Sequence, residues 1–301
     1  MRAIFVDCTP ELRQVISKRS LQVPPSLLVN DGSPSEAELV DLCGGADVIL
    51  TEHTAIRPAM LDACPSIRGI VFMGTGAGTY VDLEDAQRRG IPVVTTPGYG
   101  DRAVAEHALA LMLSGARRIS RMDREIRAGH WQPLGGLQLH GRKLAVVGMG
   151  GIGTALAEMA AALGMQVMGW NRSHRDHPLF VPTLDAALEG ADVVSLHLAL
   201  NGETQGIIGG RQLHLPNKGF LLVNTARAEL VEEAALLAAL ENGQIGHAAL
   251  DVFPHEPIPA DNPYVTQDNV TLTAHAAYMT DDAYAELWAR SIGALNSLHQ
   301  R

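Results

Sequence analysis

The sequence predicts an α/β protein of two domains, each a parallel sheet with helices on both faces. Three observations carry that prediction. Short apolar runs recur along the chain with helical stretches between them, which is the pattern of successive β-α-β units. A Gly148-x-Gly150-x-x-Gly153 turn joins an apolar run to an Ala-rich stretch in mid-chain, so a second unit precedes it. A length of 301 residues, 47% hydrophobic and 19% charged, is enough for two cores and too apolar for a disordered chain.

Residues 3–6 form the first apolar run and end at Asp7, which reads as a strand and not as a signal peptide. Ser33-Pro34-Ser35-Glu36 has the form of a capping box with proline at the first helical position, and predicts a helix to about Cys43. Residues 46–50 and 67–72 are buried-strand candidates, Asp82 opens a further helix, and residues 91–96 are a strand. Together they make a small parallel α/β domain.

Pro97-Gly98-Tyr99-Gly100 interrupts the alternation. A single long helix is predicted over 101–127, since Val104, Ala108, Leu111, Met112, Gly115, Ile119, Met122 and Ile126 keep near-helical spacing. Strands are expected at 144–147, 166–170, 192–197, 219–224, 248–252 and 270–273. A last helix starts near Asp281 behind Thr280, and the residues alone do not say which domain it packs on. The apolar stretch 144–170 is not a membrane span, because its glycines, Glu158 and Gln166 interrupt it.

The glycine turn follows a buried strand and opens a helix over 152–163, the context that gives this otherwise common string its meaning. Gly148 permits the tight turn, Gly150 lets backbone approach a pyrophosphate, and Gly153 lets helix and strand pack closely. Ile152 starts the helix just after Gly151, both are expected to meet the cofactor, and the helix's free N–H groups and positive dipole end face the phosphate. A dinucleotide ligand follows. The NAD form of this unit carries an acid at the end of the second strand. Here Asn171, Arg172 and Ser173 follow Trp170, with no carboxylate to repel a 2′-phosphate and an arginine to pair with one. The expected cofactor is NADP(H), with NAD as the alternative.

A formal charge of −10 with no basic run argues against nucleic-acid and acidic-membrane partners. Cys8, Cys43 and Cys64 lack metal-ligand spacing and are odd in number, so reduced core thiols, no metal and a cytoplasmic location are expected.

Arg227, Glu256 and His275 each lie just past a predicted strand, at the carboxyl edge where open α/β sheets place ligands. The three residue types suit hydride chemistry on a 2-oxo acid. A guanidinium grips a carboxylate and polarises a carbonyl. An imidazole delivers a proton to the developing alkoxide, and a neighbouring carboxylate orients it and favours its protonated form. Each residue also has a plainer role open to it: a surface ion pair, a loop charge, a strand cap. Tyr99, Trp131, Tyr278, Trp288, Glu52, His53 and Arg57 are candidates for lining the site, with the core as the other reading of the aromatics.

Residues 223–236 (Val-Asn-Thr-Ala-Arg-Ala-Glu-Leu-Val-Glu-Glu-Ala-Ala-Leu), 250–257 (Leu-Asp-Val-Phe-Pro-His-Glu-Pro) and 272–275 (Leu-Thr-Ala-His) resemble the three signatures of the D-isomer-specific 2-hydroxyacid dehydrogenases. The glycine turn, Ser195-Leu-His-Leu198, Gly74-Thr-Gly-Ala-Gly78 and Val104-Ala-Glu106 extend the resemblance over residues 70–280. It implies a Rossmann doubly wound parallel sheet at 99–280 and a smaller flavodoxin-like α/β substrate domain at 1–98 with 281–301, the last helix returning to it. It implies that Arg227 binds the substrate carboxylate and carbonyl oxygen, that His275 is the acid in reduction and the base in oxidation, and that Glu256 is its partner. Thr75, Gly76, Ala77 and Gly78 would hold the carboxylate, Asp251 the nicotinamide carboxamide, and Thr225, Ala226 and Val104 the cofactor. The resemblance further implies that a cleft closes on the substrate and that a homodimer forms through the 101–127 region.

The chain departs from the family pattern at Ala228, where glycine is usual, at Ala199 for proline, at Gly100 for asparagine, and in a substrate loop one residue longer before Val81-Asp82. Gly100 and the longer loop bear on which substrate is taken, not on the chemistry. Oxidation of another small anion such as phosphite, and a non-catalytic dinucleotide-sensing role like that of the corepressor relatives, are the alternative functions. Formate fits less well, since glutamine would be expected in place of Glu256.

Overall fold

The apolar runs of the first unit lack the alternation that would leave one face in water, and they form a parallel sheet whose three central strands are buried on both sides. The computed structural model describes residues 2–299, and the chain divides into two units, Met1–Gly100 with Met279–Arg301, and Asp101–Tyr278. In the first unit, β1 (Ala3–Cys8), β2 (Leu27–Asp31), β3 (Val48–Thr51), β4 (Gly69–Phe72) and β5 (Val93–Thr95) run parallel in the order β2-β1-β3-β4-β5. That is the flavodoxin-like order. Helices α1 (Pro10–Lys18), α2 (Glu36–Cys43), α3 (Pro58–Ala63) and α4 (Leu83–Arg88) connect the strands.

Three of these elements escaped the sequence pattern. α1 is announced only by Thr9, whose hydroxyl accepts the Leu12 N–H, with Pro10 behind it. β2 is an edge strand with Leu28 exposed, and α3 is too short for a helical period to register. The capping box of α2 is also displaced from its expected place. Ser35, not Ser33, is the N-cap, and Glu38, not Glu36, closes the box. The Ser33 hydroxyl is engaged 2.6 Å from His53 Nε2, and Pro34 lies outside the helix.

The second unit opens with α5 (Asp101–Arg117) and α6 (Ile119–Arg127). The continuous helix expected over 101–127 is broken at Arg118, which sits at φ 54°. The Ala116 carbonyl would receive the Ser120 N–H in an unbroken helix; instead it accepts Leu137 N–H at 2.7 Å. α6 buries no residue, so its apolar spacing did not mark a core face.

Strands β6 (Lys143–Val147), β7 (Gln166–Trp170), β8 (Val193–Leu196), β9 (Phe220–Asn224), β10 (Ile245–Leu250) and β11 (Val270–Leu272) form a parallel sheet in the order β11-β10-β9-β8-β6-β7. A parallel bridge from Gly169 to Phe180 adds a rudimentary strand beyond β7, which completes the Rossmann order. α7 (Gly151–Ala162), α8 (Leu184–Leu188), α9 (Gly210–Leu213), α10 (Glu233–Glu241) and α11 (Pro263–Thr266) link these strands. The chain direction across the sheet reverses at β6, between β7 and β8, where such sheets bind ligands.

The last helix, α12 (Asp281–His299), belongs to the first unit and packs on α1, β4 and β5. The Thr280 hydroxyl accepts the Ala283 N–H at its start. Lys18 pairs with Asp281 at 2.5 Å, and the Trp288 indole N–H donates to the Gln22 carbonyl at 3.0 Å. Trp288 is therefore core, packed beside Phe5, and does not line a pocket. Trp131 is 84% exposed. Among the described residues no helix is long and apolar enough to cross a membrane.

Candidate active site

The carboxyl ends of β9, β10 and β11 carry the three residues expected to do chemistry. At the end of β9, the Asn224 amide donates to the Arg227 carbonyl at 2.9 Å, and its oxygen accepts the Ala226 N–H at 3.0 Å. This Asn turn lifts half-buried Arg227 off the strand, and its guanidinium donates to the Ala226 carbonyl at 2.6 Å. At the ends of β10 and β11, His275 and Glu256 meet: Nδ1 lies 2.7 Å from Oε2. The other Glu256 oxygen accepts the Phe253 N–H at 2.9 Å, so the carboxylate is held from both sides. A carboxylate can only accept, so Nδ1 carries the proton and Nε2 is left as the working nitrogen.

His275 is one of three non-glycine residues in the left-handed region among the described residues, at φ 51°. A conformation this uncommon needs surroundings that enforce it. Asp251 supplies them. Its backbone carbonyl accepts the His275 N–H at 2.8 Å. Its carboxylate is fully buried and accepts from the Thr273 hydroxyl at 2.5 Å, the Ala276 N–H at 3.0 Å and the Ala277 N–H at 3.1 Å. His107, reaching down from α5, lies 3.1 Å from the Thr273 hydroxyl and 3.5 Å from the carboxylate. Burial alone would raise the Asp251 pKa. The hydrogen bonds from His107, Thr273, Ala276 and Ala277 outweigh it and hold the carboxyl below its ordinary value. Nothing in the sequence pattern marked His107 as part of this support.

The residues around β6 suit a dinucleotide. Gly148 sits at φ 110°, and a Cβ there would come 2.5 Å from the His197 carbonyl carbon. A Cβ on Gly153 would overlap the Gly148 carbonyl oxygen, so helix and strand close up only as glycines. At Gly150 the space is open, as backbone approach by a pyrophosphate requires. The buried Thr225 hydroxyl and the His197 Nδ1 have no hydrogen-bond partner, and both lie at strand ends of this edge. Buried polar atoms of that kind call for a ligand group. The Asp101 carboxylate occupies the position a Cβ on Gly151 would take, so Gly151 also has a local reason to be glycine. Ile152 lies in the first turn of α7, and Val104 is buried on α5.

The segment after β7 differs from expectation. The Asn171 amide donates to the Ser173 carbonyl at 3.1 Å and its hydroxyl at 3.0 Å. Arg172, however, is ion-paired with Glu203 from the loop after β8, and also donates to Asn201 Oδ1 at 3.5 Å. The expectation that no carboxylate stands near this arginine is therefore corrected. The acid is absent from the end of β7 but arrives from a loop 31 residues later, a contact that local sequence cannot display.

In the first unit, the 3₁₀ turn Ala77–Thr79 is closed by the Thr79, Tyr80 and Val81 N–H groups, which donate to the carbonyls of Gly76 and Ala77, so the N–H groups of Thr75, Gly76, Ala77 and Gly78 take no part in closing it. Asp7, buried at the end of β1, accepts the N–H groups of Glu52, His53 and Thr54 and so fixes the turn after β3. The three cysteines are free and buried, and burial pushes the Cys8 and Cys43 thiols up to about 12. Burial pushes His197 and His247 down to about 4. Among the described residues no group of His, Cys, Asp and Glu is placed to hold a metal ion.

A family model described as D-isomer specific 2-hydroxyacid dehydrogenase, NAD binding domain, matches residues 109–277. A glyoxylate reductase of Korarchaeum cryptofilum is 34% identical over 279 residues, 87% of this chain and 83% of the relative. Among solved structures, the TT0316 protein of Thermus thermophilus superposes with a TM-score of 0.86 at 32% identity, over 100% of this chain and 97% of that one. An acyclic imino acid reductase, solved in complex with NADPH and D-Arg, superposes with a TM-score of 0.84 at 26% identity, over 99% and 96%.

Proposed function

The chain belongs to the D-isomer-specific 2-hydroxyacid dehydrogenase family, and from that premise we propose that it reduces a small 2-oxo acid to the D-2-hydroxy acid with NADPH. The observation that carries this reading is the His275–Glu256 pair at 2.7 Å. Bound NADPH supplies the hydride to C2 of the substrate. His275 gives the Nε2 proton to the oxygen on C2 and ends as the neutral ring, still donating from Nδ1 to Glu256. Arg227 pairs with the carboxylate and polarises the carbonyl oxygen, so its grip tightens as charge develops there. The N–H groups of Thr75, Gly76, Ala77 and Gly78 are the further carboxylate donors in this reading. In the oxidation direction His275 takes the hydroxyl proton back.

On the cofactor side, Gly148, Gly150, Gly151, Ile152 and Gly153 would hold the pyrophosphate, Asp251 the nicotinamide carboxamide, and Thr225, Ala226 and Val104 would line the cofactor. Arg172, with Asn171 and Ser173, takes the 2′-phosphate. The support is the non-acidic end of β7 and the NADPH bound by the imino acid reductase. Exposed Ile119 and Ile126 on α6, with Trp131 beyond it, are assigned to a homodimer face.

The test is a panel of 2-oxo acids, glyoxylate and hydroxypyruvate first, assayed with NADPH and NADH. A small 2-oxo acid with NADPH should have the highest kcat/KM. Cofactor binding without turnover across the panel would sink the enzymatic assignment. Arg227→Ala should raise KM and lower kcat together, because the interaction persists into the transition state.

A further inference from the structure

We propose that Glu203 sets the cofactor selectivity by competing with the 2′-phosphate for Arg172, so that this chain carries its own brake on NADPH. The inference rests on the proposed function, in which Arg172 faces that phosphate.

Glu203 is placed, not incidental. Asn201 Oδ1 accepts the Glu203 N–H at 2.9 Å and the Thr204 N–H at 3.2 Å. Thr204, almost fully buried, accepts the Asn201 N–H at 2.8 Å and donates to the Ala199 carbonyl at 2.7 Å. These bonds fix the backbone that presents an otherwise exposed carboxylate. The same Asn201 oxygen takes a second bond from Arg172. The guanidinium is therefore bound twice to one loop before any ligand arrives.

Topology puts the pair where it matters. β7 and β8 flank β6, and β6 carries the glycine turn. Arg172 follows β7 and Glu203 follows β8, so their ion pair joins the two strand ends on either side of that turn. An NADP 2′-phosphate carries close to two negative charges near neutral pH, whereas the NAD ribose offers only neutral hydroxyls. Arg172 meets Glu203 and Asn201 through Nη1 alone, so a phosphate seated on Arg172 must share or displace that contact and in either case brings two anions together. Seating a diol requires neither. Glu203 therefore weakens NADPH and leaves NADH alone. The pair is exposed, with side chains 52% and 73% accessible, so solvent screens the effect to roughly 2- to 5-fold.

The experiment measures dissociation constants for NADPH, NADH, 2′,5′-adenosine bisphosphate and AMP by calorimetric titration, alongside kcat/KM, for wild type, Glu203→Gln and Arg172→Ala. Glu203→Gln should tighten NADPH and the bisphosphate about 2- to 5-fold and leave NADH and AMP within about 1.5-fold, with the gain shrinking at about 0.5 M salt. Arg172→Ala should weaken NADPH and the bisphosphate and spare NADH. If Arg172→Ala is selective in that way but Glu203→Gln changes nothing, or moves both cofactors alike, the competition is wrong and the phosphate grip stands. If Arg172→Ala leaves the NADPH to NADH ratio unchanged, the grip itself is wrong and the competition falls with it.

Discussion

Two rims of one sheet are built differently. At the ends of β9–β11, the imidazole and the carboxylate of the proposed proton transfer are each held by a second group. Glu256 is held by Phe253, His275 by Glu256 and Asp251, and the loop after β11 by the buried Asp251 carboxylate. Beyond the ends of β7 and β8, the side chains of Asn171, Arg172, Ser173 and Glu203 lie at or near the surface and pair mainly with one another: Asn171 with Ser173, Arg172 with Glu203. The first rim fixes geometry to within a hydrogen bond. The second exchanges partners at small cost, because exposed ion pairs contribute little. The contrast teaches where this fold can vary. Proton transfer tolerates no drift of the imidazole, whereas the choice between two cofactors requires only a modest change in surface charge.

The largest effect should come from the rigid rim. His275→Ala should cost about 10²- to 10⁴-fold in kcat with cofactor dissociation constants near wild type. Full turnover in that variant would remove the proton-transfer role. Next comes Asp251→Ala, which leaves the N–H groups of Ala276 and Ala277 without their acceptor and the Thr273 hydroxyl with His107 alone. Each buried unpaired donor costs about 1–3 kcal/mol, so Tm should drop by several degrees and kcat should fall as the His275 backbone relaxes. If Asp251→Ala keeps both Tm and kcat, the first rim does not owe its rigidity to the Asp251 carboxylate.

How much of each rim was legible in the sequence follows from the same contrast. Gly148, Gly150 and Gly153 could be read because turn, approach and packing are local demands with fixed spacing. Arg227, Glu256 and His275 could be read because parallel strands deliver their ends to one edge, and the family resemblance then gave them roles. The Arg172–Glu203 pair was hidden, since it joins two loops separated by the β6 turn. The break at Arg118 was hidden for a similar reason: its cause is the Leu137 N–H taking the Ala116 carbonyl, a contact from outside the helix. The displaced cap of α2 is a third case, with Ser33 diverted to His53. Periodicity and spacing register what the chain does to itself locally; they do not register capture by a distant segment.

A pH titration comes third in size. His247 on β10, beneath the rigid rim, and His197 at the end of β8 are pushed down to about 4 by burial, Arg118 and Arg124 adding to the effect at His247. Free histidine titrates near 6.5, so between about pH 6.5 and 4 the unfolded chain binds more protons than the folded one. Stability therefore falls as pH drops through that window, by about 1.4 kcal/mol per unit for each histidine. Asp251 acts lower on the scale. Its folded pKa is depressed, so its contribution is present above the ordinary carboxylate range and is lost as pH falls below about 4. Tm measured at about pH 7.5, 6 and 5 should fall monotonically, and His247→Gln should flatten the slope. A Tm that does not change over that range would refute the burial argument.

The smallest effect, and the sharpest test of the contrast, is the stability of Arg172→Ala. The variant removes an ion pair and a long hydrogen bond at once, and on a rigid rim that would cost as much as Asp251→Ala. Here the guanidinium is half exposed, Glu203 is more exposed still, and the loop that carries Glu203 is held by Asn201 and Thr204 without help from Arg172. Neither partner is left buried and unpaired, so the penalty that makes broken internal pairs expensive does not arise. Tm should move by less than about 2 °C in either direction. A drop as large as that of Asp251→Ala would mean that the two rims share one kind of construction and that selectivity cannot be altered without disturbing the sheet.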